Sequence, residues 1–520
     1  MNGAEISAPF FFGIIDYIIE HMAKDRFSSR GGFILACVGA AVGLGDSLRF
    51  PGLCAKYGGG TFMLIYIIAL VLIGIPVLNA EIALGRKLRA GAPKCMASLH
   101  KKGEALGWAS CFNSLGVAVL YAGMLGWIIA MLIKIVPLCI NSTSMTRIET
   151  GAYFFDNVLS DGISPLVLVC IIVAWLAMFF CLRNGADSLS KTAKFTVLIP
   201  VGLLTVMAIR GLIYTNSGQA LYALFVPDFS ALLDAELWLS AVGQVFFSLS
   251  VLVGIMPAYG AYLPDGESVL KDSLIIALSD FLVSVLSAVV LFTTLYGCGL
   301  EDKFSSSGIV TAFMVYPVAL TQLFGAGNTV LNSVAGLLFY ASLAMMALQS
   351  SASMVEAVAN PVADKFALNK RKLVAVITLV GAAVCIVFST GVGVVVLDVA
   401  DHFLNYFNIL LLGVFECALL GANVKKINLA GEINRYSGKL RMGRKPLVFS
   451  LKYLSPAVLG MLFSWGICHL IFIDGGIYGG YPVWAQVLGW TLSLLVFLCG
   501  ILISANFKSK RSLAVKNIAR

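Results

Sequence analysis

Residues 39–52, GAAVGLGDSLRFPG, decide the fold of this chain. They follow the apolar run GGFILACV at 31–38 and precede a second apolar run at 61–84. Within a membrane-spanning helix, glycine and proline weaken the helix, and an acid or an arginine costs free energy in lipid. The stretch therefore predicts a transmembrane helix that is interrupted near its middle and carries polar groups for a functional reason.

The composition of the whole chain is that of a membrane protein. Of its 520 residues, 59% are hydrophobic and 12% are charged, which excludes an ordinary soluble domain. The apolar runs are continuous rather than alternating, which excludes a β-barrel, and a helix needs about 20 apolar residues to cross the bilayer. Twelve spans are expected, over about residues 31–55, 61–84, 106–136, 164–182, 195–215, 237–262, 273–297, 329–359, 373–390, 395–422, 451–473 and 482–505.

The distribution of basic residues predicts the orientation. When the N-terminus is placed in the cytoplasm and the spans alternate, most of the 36 Lys and Arg residues fall on the cytoplasmic side. Both termini are therefore predicted to be cytoplasmic, with the chain in the plasma membrane. The net charge of +9 is then explained by topology and the lipid bilayer rather than by a nucleic-acid partner. The cysteines and histidines show no spacing typical of a zinc site.

A second interrupted span makes the first break informative. The first span is broken at residues 43–46, and the sixth around residues 248–254, within GQVFFSLSVLVG. Each opens a group of five spans, and paired interrupted helices indicate a transporter built from inverted repeats with a binding site at mid-membrane.

The expected organisation has no soluble domain. Between spans seven and eight, residues 298–328 are expected to form a re-entrant or capping helix. The predicted parts are a cytoplasmic N-terminal segment (1–30), a first five-helix repeat (31–215), a second, inverted five-helix repeat (237–422), helices 11 and 12 (451–505) and a basic cytoplasmic tail (506–520).

Unwound backbone at mid-membrane can bind an ion and an acid together. Freed carbonyl groups suit a hard cation such as Na⁺, and freed N–H groups at the start of a half-helix suit a carboxylate. Left without partners in lipid, these groups would cost several kcal/mol each, so they must line a polar cavity or bind something. The breaks therefore predict an ion-coupled carrier of an amino acid or a similar acid.

The same residues resemble a known family. Residues 39–86 match the signature of the neurotransmitter:sodium symporters, roughly G-x-A-V-G-L-G-N-x-x-R-F-P, then GGG-x-F-x-x-x-Y, then G-I-P and an E-x-x-x-G-R exit. The resemblance covers about residues 22–505 and is to members of the bacterial leucine-transporter type. The match continues at 243–250 (GQVFFSLS), Tyr121, Trp127, Asp401 and Glu416.

The resemblance implies both a fold and an activity. The implied fold is an all-α polytopic membrane protein with twelve transmembrane helices in an inverted 5+5 repeat, in which helices 1 and 6 are broken. The implied activity is sodium-coupled symport by alternating access, which is not enzymatic. The implied ligands are an amino acid and one or two Na⁺ ions.

The resemblance also implies a substrate site. The amide groups near Leu44 and Gly45 and the Tyr121 hydroxyl would hold the substrate carboxylate, and Gly43 favours an amino acid over a biogenic amine. Because the side-chain pocket is mostly apolar, a neutral, hydrophobic amino acid is expected, although Val117 and Met354 are also explained by ordinary helix packing. The implied substrate residues are Ala41, Gly43, Leu44, Gly45, Val117, Tyr121, Phe247, Ser248, Ser250, Val253, Ser350 and Met354.

The implied first sodium site contains two acids. Its ligands would be the Ala41 carbonyl, Asp46, Ser248 and Asp280, where the family commonly has Asn in place of each acid. Two carboxyl groups beside one Na⁺ imply that one is protonated or pairs with Arg49. The acid at 280 also favours chloride independence, although chloride-type residues are present at Tyr66, Gln244, Ser248 and Ser284.

The implied second sodium site departs further from the family. Its ligands would be Gly39, Val42, Met346, Gln349 and Ser350. Gln349 stands where the family has Thr, so altered Na⁺ binding and no binding are both expected possibilities.

Two gates are implied. Arg49 and Asp401 match the outer pair, with Phe247 as a lid, whereas Lys24 and Asp364 match the inner pair, with Tyr262 nearby. The alternative for Lys24 and Asp364 is that they are solvated charges flanking a span.

Two other functions compete with sodium symport. The same fold could carry its substrate with protons or without coupling, which Asp46, Asp280 and Gln349 all make reasonable. The tetrapeptide GLGD at 43–46 also matches the G-x-G-D of intramembrane aspartyl proteases, with Asp46 and Asp280 as the acid pair. The S-L-R-F-P continuation, the missing P-A-L motif and the number of spans favour the transporter.

Overall fold

The structure is a computed structural model and describes residues 26–159, 162–213, 216–303, 307–325, 327–473 and 478–506. Lys24, most of the predicted N-terminal segment and nearly all of the predicted basic tail lie outside the described residues. The described chain folds into helices, and its one isolated β-bridge joins Gly59 to Pro227.

The described residues contain ten continuous helices that are long and apolar enough to cross a membrane. One further span is the bent pair Arg30–Ala41 and Gly45–Lys56, whose halves make an angle of 53°. The expected sixth span is a second broken pair, Ala235–Ser248 and Ile255–Ala261, each half too short to cross alone. The continuous spans are Gly60–Leu88, Gly103–Ser144, Pro165–Leu182, Ala186–Leu212, Val269–Cys298, Thr329–Phe366, Lys370–Ser389, Val392–Asn423, Arg444–Phe472 and Val483–Asn506.

Shorter helices connect the spans. Gly308–Gln322 occupies the segment between spans seven and eight, as the sequence predicted, and part of it lines an outer cavity. The others are Ala92–Leu99, Arg147–Asn157, Ser217–Phe225, Phe229–Leu233, Glu301–Lys303, Leu429–Asn434 and Tyr478–Gly480.

Local sequence signals explain where several helices begin. The Ser29 hydroxyl accepts the Gly32 N–H at 3.1 Å at the start of the first span, and Ser268 accepts the Lys271 N–H at 3.3 Å at the start of the seventh. These side chains satisfy N–H groups that have no partner inside the helix. Thr146 and Glu149 form a reciprocal capping box at the start of an outer connecting helix.

The spans differ in how deeply they are buried. The most apolar stretch of the third span, Gly103–Ser144, is 72% buried, whereas those of the ninth, eleventh and twelfth spans are 28%, 28% and 22% buried. The third span therefore lies inside the bundle, beside the two broken spans, and the last spans lie at the lipid-facing periphery. This arrangement encloses the broken helices and keeps their polar groups away from lipid.

Candidate substrate and cation site

The break in the first span is stabilised from within that span. Val42 adopts an extended backbone conformation, with φ −66° and ψ 101°, which ends the first half-helix. The Gly43 N–H then donates to Asp46 Oδ2 at 3.0 Å. The acid of the GLGD tetrapeptide thus satisfies a backbone donor that the break releases.

Asp46 and Asp280 meet at a single hydroxyl group. Ser248 Oγ lies 2.6 Å from Asp46 Oδ1 and is also hydrogen-bonded to Asp280 Oδ2, while Ser284 Oγ donates to the same Asp46 oxygen at 3.0 Å. None of these four side chains is more than 1% exposed. The first, sixth and seventh spans therefore bring together the three side chains expected at the first cation site.

The two carboxyl groups of this cluster compete for one hydroxyl hydrogen. The Ser248 hydroxyl has one hydrogen, so it cannot donate to both carboxylates at once. Two facing carboxylates without a proton or a cation between them would repel each other in a buried site. Asp280 Oδ1 has no hydrogen-bond partner among the described residues. The cluster is therefore suited to a hard cation with oxygen ligands, or to a proton.

Asp46 does not pair with Arg49. Its oxygens receive hydrogen bonds from the Gly43 amide and from the Ser248 and Ser284 hydroxyls. Arg49 instead lines an outer cavity, with its guanidinium carbon 5.6 Å from the centre of the Phe247 ring.

An inner cavity of ≈ 20 Å³ lies between the two breaks and the third and eighth spans. Leu44 lines the outer cavity instead, and Ser248 belongs to the acid cluster. The predicted substrate residues that line the inner cavity are Ala41, Gly43, Gly45, Val117, Tyr121, Phe247, Ser250, Val253, Ser350 and Met354.

Phe247 separates the inner cavity from a larger outer one. The outer cavity has a volume of ≈ 300 Å³, and Gly45, Tyr121 and Phe247 border both cavities. A Cβ added at Gly45 would lie 2.1 Å from the Phe247 ring, so the ring rests directly on that glycine. The role of Phe247 as a lid over the substrate stays a prediction.

The break in the sixth span is held by other spans. Ser250, Leu252 and Gly254 have positive φ values of 50°, 68° and 76°. The Leu252 N–H donates to Glu81 Oε1 of the second span at 2.7 Å, and Ser114 of the third span donates to the Val253 carbonyl. The Leu252 side chain therefore does not prevent unwinding, although a left-handed conformation is unfavourable for leucine.

The residues expected at the second sodium site are bonded to other protein groups. Gln349 Oε1 accepts a hydrogen bond from Thr196 Oγ1 at 3.0 Å, and the Met346 sulfur accepts one from Ser47 Oγ at 3.4 Å. Gln349 also packs on the first span, since a Cβ added at Gly39 would lie 2.5 Å from its Cγ. Ser350 Oγ lies 3.4 Å from the Ala40 carbonyl oxygen.

The outer side of the site is open between its charged groups. Arg49 and Asp401 both line the outer cavity, and in the described part of the chain they form no direct salt bridge. Asp401 Oδ1 instead accepts a hydrogen bond from Asn405 Nδ2 at 2.6 Å.

The opposite side, which carries the predicted cytoplasmic segments, is closed. The Tyr262 hydroxyl donates to Glu356 Oε1 at 2.6 Å, and Lys370 Nζ pairs with the same oxygen at 2.6 Å. Phe27 packs edge-on against the Tyr262 ring, and its N–H donates to the Tyr262 carbonyl at 3.1 Å. The predicted position of Tyr262 at the inner gate thus coincides with a closed surface. Asp364 lies towards the same end of the eighth span.

A salt bridge joins the segment before the first span to the segment after the sixth. Arg26 Nη1 lies 2.6 Å from Asp265 Oδ2, and Arg89 also bonds to that carboxylate. The hydrogen bond from Arg26 lowers the pKa of the Asp265 carboxyl below its ordinary value. The Asp265 carboxyl therefore stays ionised to a lower pH than an isolated aspartate would.

This architecture, with two broken spans around a buried acid cluster, matches one family of membrane proteins. The model of the sodium:neurotransmitter symporter family matches residues 24–146 and 156–510. The chain belongs to the sodium:neurotransmitter symporter family. It is therefore a secondary transporter and not an enzyme, which excludes the aspartyl-protease alternative.

Relatives of this symporter include transporters of different substrates. An uncharacterised sodium-dependent transporter of Methanocaldococcus jannaschii is 29% identical over 504 residues, covering 93% of this chain and 98% of the relative. The mouse sodium-dependent neutral amino acid transporter B(0)AT3 is 28% identical over 479 residues, covering 76% of each chain. The rat sodium- and chloride-dependent taurine transporter is 26% identical over 530 residues, covering 92% of this chain and 83% of its own.

A solved structure confirms the fold. The symporter matches the crystal structure of MhsT in complex with L-phenylalanine with a TM-score of 0.72, covering 85% of this chain and 99% of that one at 23% sequence identity. The predicted all-α fold of the leucine-transporter type, with broken helices 1 and 6, is therefore correct.

Several site residues of the symporter were missed from the sequence. Ser114 lies one helical turn before Val117, and Asn405 one turn after Asp401, so helical periodicity could have indicated both. Glu81 belongs to the E-x-x-x-G-R exit, but nothing local connects it to the sixth span. The other unpredicted residues lining the inner cavity are Phe246, Val251 and Ile409.

Proposed function

We propose that this symporter moves a neutral, hydrophobic amino acid together with Na⁺. The cation would bind at the cluster of Asp46, Ser248 and Asp280, and the substrate in the adjoining inner cavity. The observation that carries the proposal is that both helix breaks, an oxygen-rich acid cluster and a largely apolar cavity adjoin one another at the centre of the bundle.

The electrostatics of the cluster support a monovalent cation. Two carboxyl groups face one hydroxyl, so a cation of charge +1 would balance one of the two acids while the other keeps a proton or a hydrogen bond. In the described ranges, no group of three or more His, Cys, Asp and Glu side chains is arranged to hold a metal. Hydroxyl and carbonyl oxygens, such as the Ala41 carbonyl, would complete the Na⁺ shell.

The shape of the inner cavity supports the substrate class. Val117, Val253 and Met354 provide an apolar surface, and Tyr121 and Ser250 provide hydroxyl groups beside the breaks. Gly43 carries no acid to pair with a biogenic amine, and a Cβ at this residue would already lie 3.3 Å from Ser350 Oγ. An α-amino acid would therefore place its charged groups at the breaks and its side chain against the apolar surface.

Chloride independence is part of the proposal. Ser248 and Ser284, two of the four residues of the chloride-type cup, direct their hydroxyls at Asp46 Oδ1. A carboxylate oxygen thus takes the hydrogen bonds that an anion would receive. If this is correct, replacing chloride with gluconate leaves uptake unchanged.

Proton coupling is the second candidate. It is favoured by the single Ser248 hydrogen between two carboxyl groups, which leaves room for one exchangeable proton. Uncoupled transport by the same fold is the third outcome of the same test.

Uptake into proteoliposomes distinguishes these candidates. Radiolabelled leucine, phenylalanine, glycine and taurine are offered while the Na⁺ and pH gradients are set independently, with K⁺ replacing Na⁺ as the control. Uptake of leucine or phenylalanine that follows the Na⁺ gradient at constant pH is the expected result. Uptake that follows the pH gradient and ignores Na⁺ contradicts sodium coupling.

We also propose that the symporter lies in the plasma membrane with both termini in the cytoplasm. The excess of basic residues in alternate loops supports this orientation. A C-terminal tag that is protease-resistant in intact cells and cleaved after permeabilisation is the expected result. The two repeats at 31–215 and 237–422 and the Lys24–Asp364 inner gate remain predictions.

A further inference from the structure

The eighth span carries a buried amide where a second cation would require an oxygen ligand. Gln349 is 0% exposed and stands in the position that the family occupies with Thr. The question is whether its side chain provides an oxygen to a cation or occupies the position of that cation itself.

The stem of Gln349 fills the space beside the first span. A Cβ added at Gly39 would lie 2.5 Å from Gln349 Cγ and 3.3 Å from its Cδ, and 2.8 Å from a Val197 methyl of the fifth span. The methylene groups therefore lie against the backbone whose carbonyl was expected to bind the ion. Methylene and methyl groups are not cation ligands, so the space that they fill beside Gly39 provides no oxygen to an ion.

The amide oxygen of Gln349 is already bonded to another span. It accepts the Thr196 hydroxyl at 3.0 Å, and Thr196 is itself only 6% exposed. The amide nitrogen has no hydrogen-bond partner among the described residues, so its two N–H donors remain on the side facing away from Thr196. Donor hydrogens in a buried site repel a cation.

The same contacts also fit a Gln349 carboxamide turned over, with its oxygen and nitrogen exchanged, which we call the reversed amide. Thr196 Oγ1 also lies 3.0 Å from the Thr192 carbonyl oxygen, and its single hydrogen can bond only one of these two acceptors fully. If it bonds Thr192, the Gln349 amide turns over, and its oxygen becomes available to a cation. The number of bound ions separates the two orientations.

The other expected side chains do not complete a shell. Ser350 Oγ is directed at the Ala40 carbonyl oxygen, and the Met346 sulfur accepts the Ser47 hydroxyl. We propose that the Gln349 carboxamide takes the place of the second cation, as an uncharged link between the first, fifth and eighth spans, so that one Na⁺ accompanies each substrate. This inference rests on the proposed sodium coupling.

Equilibrium binding of ²²Na⁺ to the purified full-length protein tests the inference with the ion alone as the probe. One Na⁺ per chain is expected for the natural protein and two for Gln349→Thr, which restores a hydroxyl of the family type. Gln486→Thr is the matched control, because Gln486 is also buried, at 7% exposure, but lies in the twelfth span. The control is expected to bind one.

Each other outcome is informative. Two Na⁺ ions per natural chain overturn the inference and indicate the reversed amide. One ion in both the natural protein and Gln349→Thr shows that Gln349 does not exclude the second ion and also overturns it. No bound Na⁺ in the natural protein contradicts the proposed function itself, which distinguishes that failure from the others.

The energetic consequence can be measured in vesicles. Each additional Na⁺ carried down a membrane potential of about 100 mV raises the limiting accumulation of substrate by about 50-fold. Gln349→Thr should therefore accumulate L-leucine more strongly than the natural protein at the same potential. If Gln349→Thr fails to fold, Gln349→Ser is the second variant, because it also removes the amide and keeps a hydroxyl group; two bound Na⁺ ions support the inference and one overturns it.

Discussion

The two broken spans reach a similar shape by different means. In the first, the acid at 46 satisfies the Gly43 N–H only three residues away, and none of residues 42–46 has a positive φ value. In the sixth, alternate residues take left-handed conformations, and the released Leu252 N–H is bound by Glu81, 171 positions distant in the chain. The first break is a local property of its sequence, whereas the sixth depends on the packed bundle.

This difference indicates that the two breaks have different roles, one in ligand binding and the other in stability. The first break carries the acid that organises the candidate cation site, since Asp46 serves the backbone and the Ser248 and Ser284 hydroxyls together. The sixth break contributes residues that line the inner cavity, and its backbone is held by hydrogen bonds from the second and third spans. Perturbing the first break should therefore affect ligand binding most, and perturbing the sixth should affect stability most.

The largest effect is expected for Asp46→Ala. This change removes a buried carboxylate that is hydrogen-bonded to three donors, and loss of a cation ligand with its supporting bonds should weaken Na⁺ affinity by about 100-fold. Asp46→Asn keeps an oxygen that can accept the Gly43 N–H, so its Na⁺ affinity should fall by about tenfold or less. Na⁺-dependent thermal shift measures both. If both variants lost the same Na⁺ affinity, the hydrogen bond from the Gly43 N–H to residue 46 would be shown to be unimportant for binding.

The next largest effect is expected for Glu81→Ala. Leaving the buried Leu252 N–H without its acceptor should lower the free energy of unfolding by about 1–3 kcal/mol. Glu81→Gln is the control, because its amide oxygen can still accept this hydrogen bond. Unfolding in detergent micelles provides the measurement. A variant that unfolds like the natural protein but has lost Na⁺ binding would contradict the assigned role in stability.

A pair of glycine substitutions tests the comparison with smaller effects. Gly254→Ala places a side chain at a φ of 76°, which should cost about 1 kcal/mol of stability, because only glycine takes this conformation freely. Gly43→Ala instead places a methyl group 3.3 Å from Ser350 Oγ in the inner cavity, so it should raise the KM for substrate with little loss of stability. The reverse pattern would contradict the division between the two breaks.

The smallest effect is expected at Asp265, in the segment after the sixth span, which is joined by a salt bridge to the segment before the first. Its pKa is lowered by Arg26, so its stabilising contribution is present above the ordinary carboxyl pKa and is lost only as the pH falls through the lower folded value. Because the Asp265 side chain is 68% exposed, Asp265→Asn should change the unfolding temperature only slightly. The change should be the same at pH 5 and pH 7, and should disappear in strong acid. A variant effect that vanishes between pH 7 and pH 5 would contradict this.

Much of the candidate site could be predicted from the sequence, because its residues lie in the helix breaks or in the family motifs at 39–86 and 243–250. Ten of the twelve predicted substrate residues line the inner cavity, and Asp46, Ser248 and Asp280 lie together. The two exceptions have a simple cause. Leu44 points to the outer side of the break, and the Ser248 hydroxyl turns towards the acids, because side chains one residue apart lie on different faces.

The remaining features arise from contacts between distant spans. The inner closure by Tyr262, Glu356 and Lys370, the Glu81 bond to the sixth break and the Thr196 bond to Gln349 each join separate helices. Hydrophobic periodicity reports which residues are apolar, but not which helix lies opposite a given buried polar group. These hydrogen-bond partners therefore could not be predicted from the sequence pattern.

The sequence by itself determined the membrane class, the number of spans, the break in the first span and the family, because apolar length, glycine and a capping acid act over a few residues. Only the tertiary structure decided how the sixth span is held open, which side of the site is closed, and where the amide of Gln349 is bonded. The physical reason is that a buried polar group must find a partner, and in a bundle of long helices that partner comes from whichever span packs beside it.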